Sequence, residues 1–283
     1  MTQAMKSFRN MFPYLLSTVR TALVIAVLAL TLPFGSMASI IAQDSFDYSP
    51  GVDNLQSNKG GIGWAGPWLP SANSSDHVDV VNTSAKPLTF TPAGGGVVSG
   101  SAAGAAYGPA NAPVAARQLA APLTNTFYIS YLVRYDNTND PAQNNFNGYN
   151  TFSLYLSDSE QRTGALNFGM RSTGGENTFM AREGTGDPRE GASVKKPFLA
   201  GATHLMVAKV TNSGGQFNRI DCWLDPAFAD SSTPTVMLLD GDLKAITHVF
   251  FREAKGEPDD RFLFTHLVIG TTWEDVVPPA HSP

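Results

Sequence analysis

The chain has 283 residues, 42% of them hydrophobic, with 19 basic and 24 acidic side chains and a formal net charge of −5. This acidic balance excludes nucleic acid and anionic lipid surfaces as partners, since both demand clustered Lys and Arg. A single cysteine, Cys222, excludes an internal disulfide, and five scattered histidines without His-x-His or His-Glu-x-x-His spacing leave zinc unsupported.

The N-terminus reads as a secretory signal peptide over residues 1–38. Lys6, Arg9 and Arg20 supply positive charge, no acidic residue precedes Asp44, and an apolar run follows from Ala22 to Leu32. Pro33 and Gly35 break the helix ahead of Ser36-Met37-Ala38, a small-x-small site with cleavage after Ala38, or alternatively after Ala42. An uncleaved anchor is the competing reading, but the run is only 11 residues long. A bilayer needs roughly 20. Cleavage after Ala38 leaves 16 basic against 24 acidic residues, so the mature chain stands at −8. No membrane association is expected after it.

Downstream, period-two alternation dominates. In Phe127 to Tyr135 (FYISYLVRY) the odd positions are all apolar or aromatic, while Ser130 and Arg134 fall on even ones. Such a run is a strand with one face on the core. Similar runs are Thr151 to Leu156, Ala165 to Arg171, Thr178 to Arg182, His204 to Val210, Phe217 to Leu224, Val236 to Leu239, Ile246 to Arg252 and Phe262 to Ile269. Turn clusters separate them at Asp136 to Gly148, Thr173 to Gly175, Asn212 to Gly215, Asp240-Gly241 and Gly256 to Asp260, with Ser213-Gly214-Gly215 a hairpin signal. The Ala/Gly-rich stretch Val97 to Pro122 is expected to form small-residue strands where sheets approach closely, rather than a linker.

No helical periodicity stands out beyond the leader. Many short strands in one domain imply an all-β fold, a two-sheet antiparallel jelly-roll or related sandwich over residues 43–277, with 278–283 as a tail and a barrel as the competing architecture.

The segment Asp44 to Trp68 (DSFDYSPGVDNLQSNKGGIGWAGPW) carries Phe46, Tyr48, Gly51 and Leu55 ahead of Gly60-Gly61-Ile62-Gly63-Trp64. Farther on, Ala208-Lys209-Val210 precedes a Gly turn and Cys222-Trp223-Leu224-Asp225-Pro226, and the end reads Leu267-Val268-Ile269-Gly270-Thr271-Thr272-Trp273. Together these resemble bacterial exported proteins with a concanavalin A-like (LamG-like) jelly-roll domain. The resemblance implies a fold shared with legume-lectin-like modules and some glycosidases, and fold alone does not settle function.

Glycosidases of that fold carry close-spaced carboxylates on one strand, and no Glu-x-Asp-x-Glu pattern occurs here. Asp221 and Asp225 offer only two carboxylates at that spacing, and neither a Gly-x-Ser-x-Gly elbow nor a phosphate loop is present. Cys222 alternates with Ile220 and Leu224, which marks it as a small buried side chain.

Ligand candidates are therefore aromatic and basic. Trp64, Trp68 and Trp223 are the stacking candidates for a sugar ring, each with core packing as the competing and favoured reading. Arg182 and Arg189 lie in the charged stretch to Lys196 and would grip an acidic sugar, unless that stretch is simply a solvated loop. Calcium is the one cofactor considered, through hard oxygens of Asp136, Asn139 and Asp140, against the ordinary use of Asx in turns.

The expectation is an exported, non-enzymatic, lectin-like module binding a carbohydrate or cell-surface polymer at a sheet face or its rim loops. The alternatives are a polysaccharide hydrolase or lyase with unrecognised carboxylates, and a structural envelope protein. Oligomeric state and the choice between periplasm and exterior stay open.

Overall fold

A computed structural model describes residues 39–52, 55–70, 78–107, 114–137, 151–159, 165–173, 176–184, 192–195, 198–254 and 259–280. The leader lies outside them.

Two antiparallel sheets carry the fold. The first runs β15 (Val236–Leu243), β14 (Gln216–Leu224), β13 (Thr203–Ser213), β8 (Phe127–Asn137), β17 (Asp260–Gly270), β6 (Ala102–Tyr107) and β3 (Asp79–Asn82). β1 (Ile40–Asp44) joins it on β17, making eight strands. The second, seven-stranded, runs β12 (Ala192–Lys195), β11 (Glu176–Glu183), β10 (Leu166–Thr173), β9 (Thr151–Ser157), β16 (Ile246–Ala254), β7 (Val114–Leu123) and β2 (Leu69–Pro70). A hairpin of β4 (Leu88–Phe90) and β5 (Val98–Gly100), and the short helix α1 (Trp273–Val276), complete it. The result is the jelly-roll sandwich that alternation implies.

Alternate residues meet between the sheets. Phe152, Leu154 and Leu156 of β9, Phe168 and Met170 of β10, and Val249 and Phe251 of β16 face Tyr131 and Val133 of β8, Met206 and Ala208 of β13, and Phe262 and Phe264 of β17. Ring contacts bridge the layers directly: Phe251 stacks on Phe264 at 4.2 Å, and Phe152 on Phe262 at 5.0 Å. Offset aromatic pairs of this kind contribute about 0.5–1.5 kcal/mol each beyond the area they bury. Cys222 is fully buried in the same core.

The Ala/Gly-rich stretch supplies β5, β6 and β7. Its low bulk has a steric cause, because a Cβ on Gly104 would lie 2.5 Å from the Phe264 ring.

Three expectations need correction. Asp240-Gly241 is not a turn but part of β15, where the ladder with β14 is irregular and Gly241 passes close to the Phe217 carbonyl. Trp273–Val276 is helical, capped through the Asp275 carboxylate. And β8 is buried on both faces rather than one: Leu132, Ser130 and Arg134 point away from the core, yet are covered. The β4–β5 hairpin, α1 and Val277 pack over that outer side, against Leu132, Leu205, Val207, Trp223, Leu263 and Val268.

The N-terminal motif folds into a buried ionic knot. The Asp44 carboxylate accepts from Tyr48 Oη at 2.6 Å, Trp68 Nε1 at 2.7 Å, the Phe46 amide at 2.8 Å, and the Arg117 guanidinium of β7. Arg117 also donates to the carbonyls of Gly60 and Gly66, with Trp64 and Trp68 over its charge at 4.9 and 5.5 Å. Residues 61–64 run beside β1 so tightly that Cβ atoms on Gly61 and Gly63, both at φ +80°, would sit 2.0 and 2.1 Å from carbonyl oxygens of Gln43 and Ile41. Only glycine fits.

Removing the cation from this knot strands a buried carboxylate. Arg117→Ala is expected to lower unfolding free energy by about 3–5 kcal/mol in denaturant titration. A loss under about 1 kcal/mol would mean that the pair is not structural.

Candidate functional site

The centre of the outer face of the eight-stranded sheet is covered by apolar packing of the β4–β5 hairpin and α1, with the Arg134–Asp136 and Arg219–Asp221 pairs on the same side. The outer face of the seven-stranded sheet has a different chemistry. The residues between the core positions include Val114, Ala116 and Gln118 on β7, His248, Phe250 and Arg252 on β16, and Ser153, Tyr155 and Ser157 on β9, with Val114, Ala116, Phe250 and the Tyr155 ring packed as an apolar cluster. Asn167 and Arg171 on β10, and Thr178 and Arg182 on β11, continue the face.

Strand register turns these scattered residues into rows. Phe250 pairs with Tyr155, Tyr155 with Asn167, and Asn167 with Arg182, so that four adjacent strands contribute one line across the sheet. On one side of it, Arg252 pairs with Ser153; on the other, Gln118 pairs with His248 and His248 with Ser157.

Hydrogen bonds fix the central row. Arg182 donates through Nε to Asn167 Oδ1 at 2.9 Å and through Nη2 to the Tyr155 hydroxyl at 3.0 Å. Arg252 Nη1 donates to the same hydroxyl at 3.3 Å. Asn167 is oriented in turn by its amide nitrogen, which donates to the Gly184 carbonyl at 3.0 Å. Thr247 Oγ1 lies 2.8 Å from His248 Nδ1 and sets that ring.

Tyr155 and Asn167 are buried, as is Arg182 at 7% exposure, and they form a floor. Around them Arg252, Arg171 and Thr178 are half-buried and Gln118 is exposed, giving the floor an accessible rim. Ser153 Oγ and Arg252 Nε are buried without a hydrogen-bond partner.

Carboxylates are scarce on this face. Among the described residues Glu176 is its sole acid, and it sits exposed at the margin against Lys195 Nζ at 2.7 Å. The facing pair that glycoside hydrolysis needs is not found among them.

The residues singled out from sequence fare unequally. Arg182 stands in the central row. Trp68 is fully buried and spends its Nε1 on Asp44, so it offers no ring to a sugar. Trp223 is on the outer face of the eight-stranded sheet, 3% exposed and edge-on to Trp273 at 5.1 Å. Trp64 is half-buried, stacked over Arg117, with its Nε1 on the Gln43 carbonyl. Packing accounts for Trp68 and Trp223, and Trp64 keeps part of its ring exposed.

Asp136 lies within hydrogen-bonding distance of Arg134 and Arg261, at 3.0 and 3.4 Å, and a carboxylate held by two guanidiniums is a poor calcium ligand. Arg189, Asn139 and Asp140 lie outside the described residues. No group of three or more His, Cys, Asp or Glu able to hold a metal occurs among the described residues, and no helix there is long and apolar enough to cross a membrane.

Tyr155, Asn167, His248 and Arg252 escaped the sequence reading. Each occupies the polar phase of an alternating strand, a visible signal. Their convergence depends on the order β11-β10-β9-β16, which alternation does not encode.

No family model and no curated protein matches the sequence. Solved structures similar to it include the globular domain of T. cruzi calreticulin, at 14% identity and TM-score 0.48 over 83% of this chain and 88% of that one. A carbohydrate esterase from a Shiga toxin-encoding bacteriophage is similar at 12% identity and TM-score 0.48, over 83% and 99%. An alginate lyase in complex with an alginate trisaccharide is similar at 14% identity and TM-score 0.47, over 82% and 97%. These likenesses are distant and bring no activity or ligand to this chain.

Cys222 lies in the core between the sheets. Burial pushes its thiol well above the ordinary range, with the Asp221 charge adding to the effect. A thiol reagent is therefore expected to leave the native protein unlabelled and to label it fully in denaturant. Rapid labelling without denaturant would contradict that burial.

Proposed function

We propose that the protein is an exported jelly-roll module that binds a glycan along the outer face of its seven-stranded sheet. One observation carries the reading: the outer face of the seven-stranded sheet holds a hydrogen-bonded row of planar polar groups, Tyr155, Asn167 and Arg182, while the centre of the other outer face is capped by the protein's own elements. Sugars are recognised by few, well-fixed polar groups, and Tyr155, Asn167 and Arg182 hold one another in place before any ligand arrives. The half-buried Arg252 and Arg171 and the exposed Gln118 give a chain its first contacts.

A second reading, a polysaccharide-acting enzyme, rests on Tyr155. Its phenol oxygen receives two guanidinium donors at the centre of the face. New reducing or unsaturated chain ends, read by mass spectrometry after incubation with polysaccharide, would select this reading over pure binding.

Export follows the leader and the start of the sandwich. The Ser39 amide donates to Thr271 Oγ1 at 3.1 Å and to Asp275 Oδ2 at 3.2 Å, and β1 begins at the next residue. Cleavage after Ala38 leaves β1 whole and turns that amide into an ammonium group beside the Asp275 carboxylate. Cleavage after Ala42 would remove Ile40, Ile41 and Ala42 from the ladder with β17.

Two measurements test these statements. N-terminal sequencing of the exported protein is expected to read Ser39 first; a start at Gln43, or an unprocessed chain, would contradict the assignment. On a glycan array, Asn167→Ala is expected to weaken binding by about tenfold, the worth of a lost hydrogen bond to a charged group. Unchanged binding, with Trp64→Ala abolishing it instead, would move the site to the N-terminal knot.

A further inference from the structure

Three arginines are buried among the described residues, and two of them obey a simple rule. Arg117 is paired with the carboxylate of Asp44, and Arg134 with that of Asp136. Arg182, at 7% exposure, has no carboxylate partner among the described residues. Its partners, the Asn167 amide oxygen and the Tyr155 hydroxyl, are both neutral. Arg252 brings a second guanidinium onto the same hydroxyl, while its own Nε is buried and unpartnered. Two positive charges thus converge on one neutral oxygen, in a place largely removed from water.

That arrangement is costly unless something negative completes it. Taking an ion out of water carries a penalty of several kcal/mol even after relaxation, and neutral partners recover only part of it. Guanidiniums also present paired, coplanar donors that match the oxygens of a carboxylate or sulfate.

We infer that the glycan is acidic, and that one of its carboxylate or sulfate groups seats between Arg252 and Arg182 as their missing counter-ion. This rests on the glycan reading of the same face and names the ligand class for it. The half-buried Arg252 meets the anion first, and Arg182 completes its neutralisation from the floor. The mature chain is acidic overall, so a cationic patch of this kind selects by local charge and not by net attraction.

The test uses the purified mature protein against three immobilised polymers: a polyuronate, a sulfated polysaccharide and a neutral β-glucan. Affinity for at least one acidic polymer is expected to exceed that for the neutral glucan by about tenfold or more, and to weaken as salt rises. The preferred acidic polymer identifies the seated group as carboxylate or sulfate.

Arg252→Gln, at the accessible position, is expected to remove that preference with its thermal unfolding unchanged, and Arg252→Lys to restore part of it. Arg182→Gln gives the same loss from the floor, where a shifted melting curve would report misfolding instead. Shortening of the polyuronate during the assay also supports the acidic class. Equal affinity for neutral and acidic polymers, untouched by Arg252→Gln, overturns the inference and leaves the glycan reading standing. Silence toward all three overturns both.

Discussion

A guanidinium withdrawn from water needs a negative partner, and much of this molecule is organised around that requirement. At Arg117 the partner is Asp44, and satisfying the pair ties the first strand, the glycine-rich segment after it and two tryptophans onto β7. At Arg134 it is Asp136, two residues along the same strand face, beneath the β4–β5 hairpin where Arg134 also holds the Lys86 carbonyl. Arg182 breaks the pattern. Among the described residues its partners are neutral, the Asn167 amide and the Tyr155 hydroxyl, with no carboxylate beside them.

The placement of that exception follows from how a sandwich disposes of its surfaces. Two sheets bury one face of each in the common core and leave two outer faces to be dealt with separately. Here the centre of the eight-stranded sheet is covered by a hairpin, a helix and Val277, which is a structural solution. The seven-stranded sheet instead alternates its core residues with hydroxyls, an amide, an imidazole and guanidiniums set beside a small apolar cluster of Val114, Ala116 and Phe250.

Much of the fold was legible because alternation maps directly onto the core. In β9, Phe152, Leu154 and Leu156 were apolar and inward, and Ser153, Tyr155 and Ser157 took the other phase. The hairpin at Ser213-Gly214-Gly215 joins β13 and β14 as its turn chemistry requires. Misreadings arose where the tertiary environment overrode a local signal. Asp240-Gly241 has turn composition but lies in a strand, because Gly241 is needed for close passage past Phe217. Leu132 looked ordinary on an outward phase, and only the capping elements explain it.

The site was less legible than the fold. Tryptophans attract attention as sugar platforms, yet Trp68 and Trp223 are packing residues, since a large ring gains most by full burial. Arg182 was visible as one basic residue in a charged stretch. Its meaning depends on Tyr155, Asn167 and Arg252, which lie 27, 15 and 70 residues away in sequence and meet only through strand order.

The most direct test is a crystal structure of the mature protein with a short acidic oligosaccharide. The account predicts an acid group of the sugar within hydrogen-bonding distance of Arg252 and Arg182, lying over the β9–β16 pair. An oligosaccharide seated against Trp64 or on the eight-stranded sheet, with those two guanidiniums untouched, would contradict it.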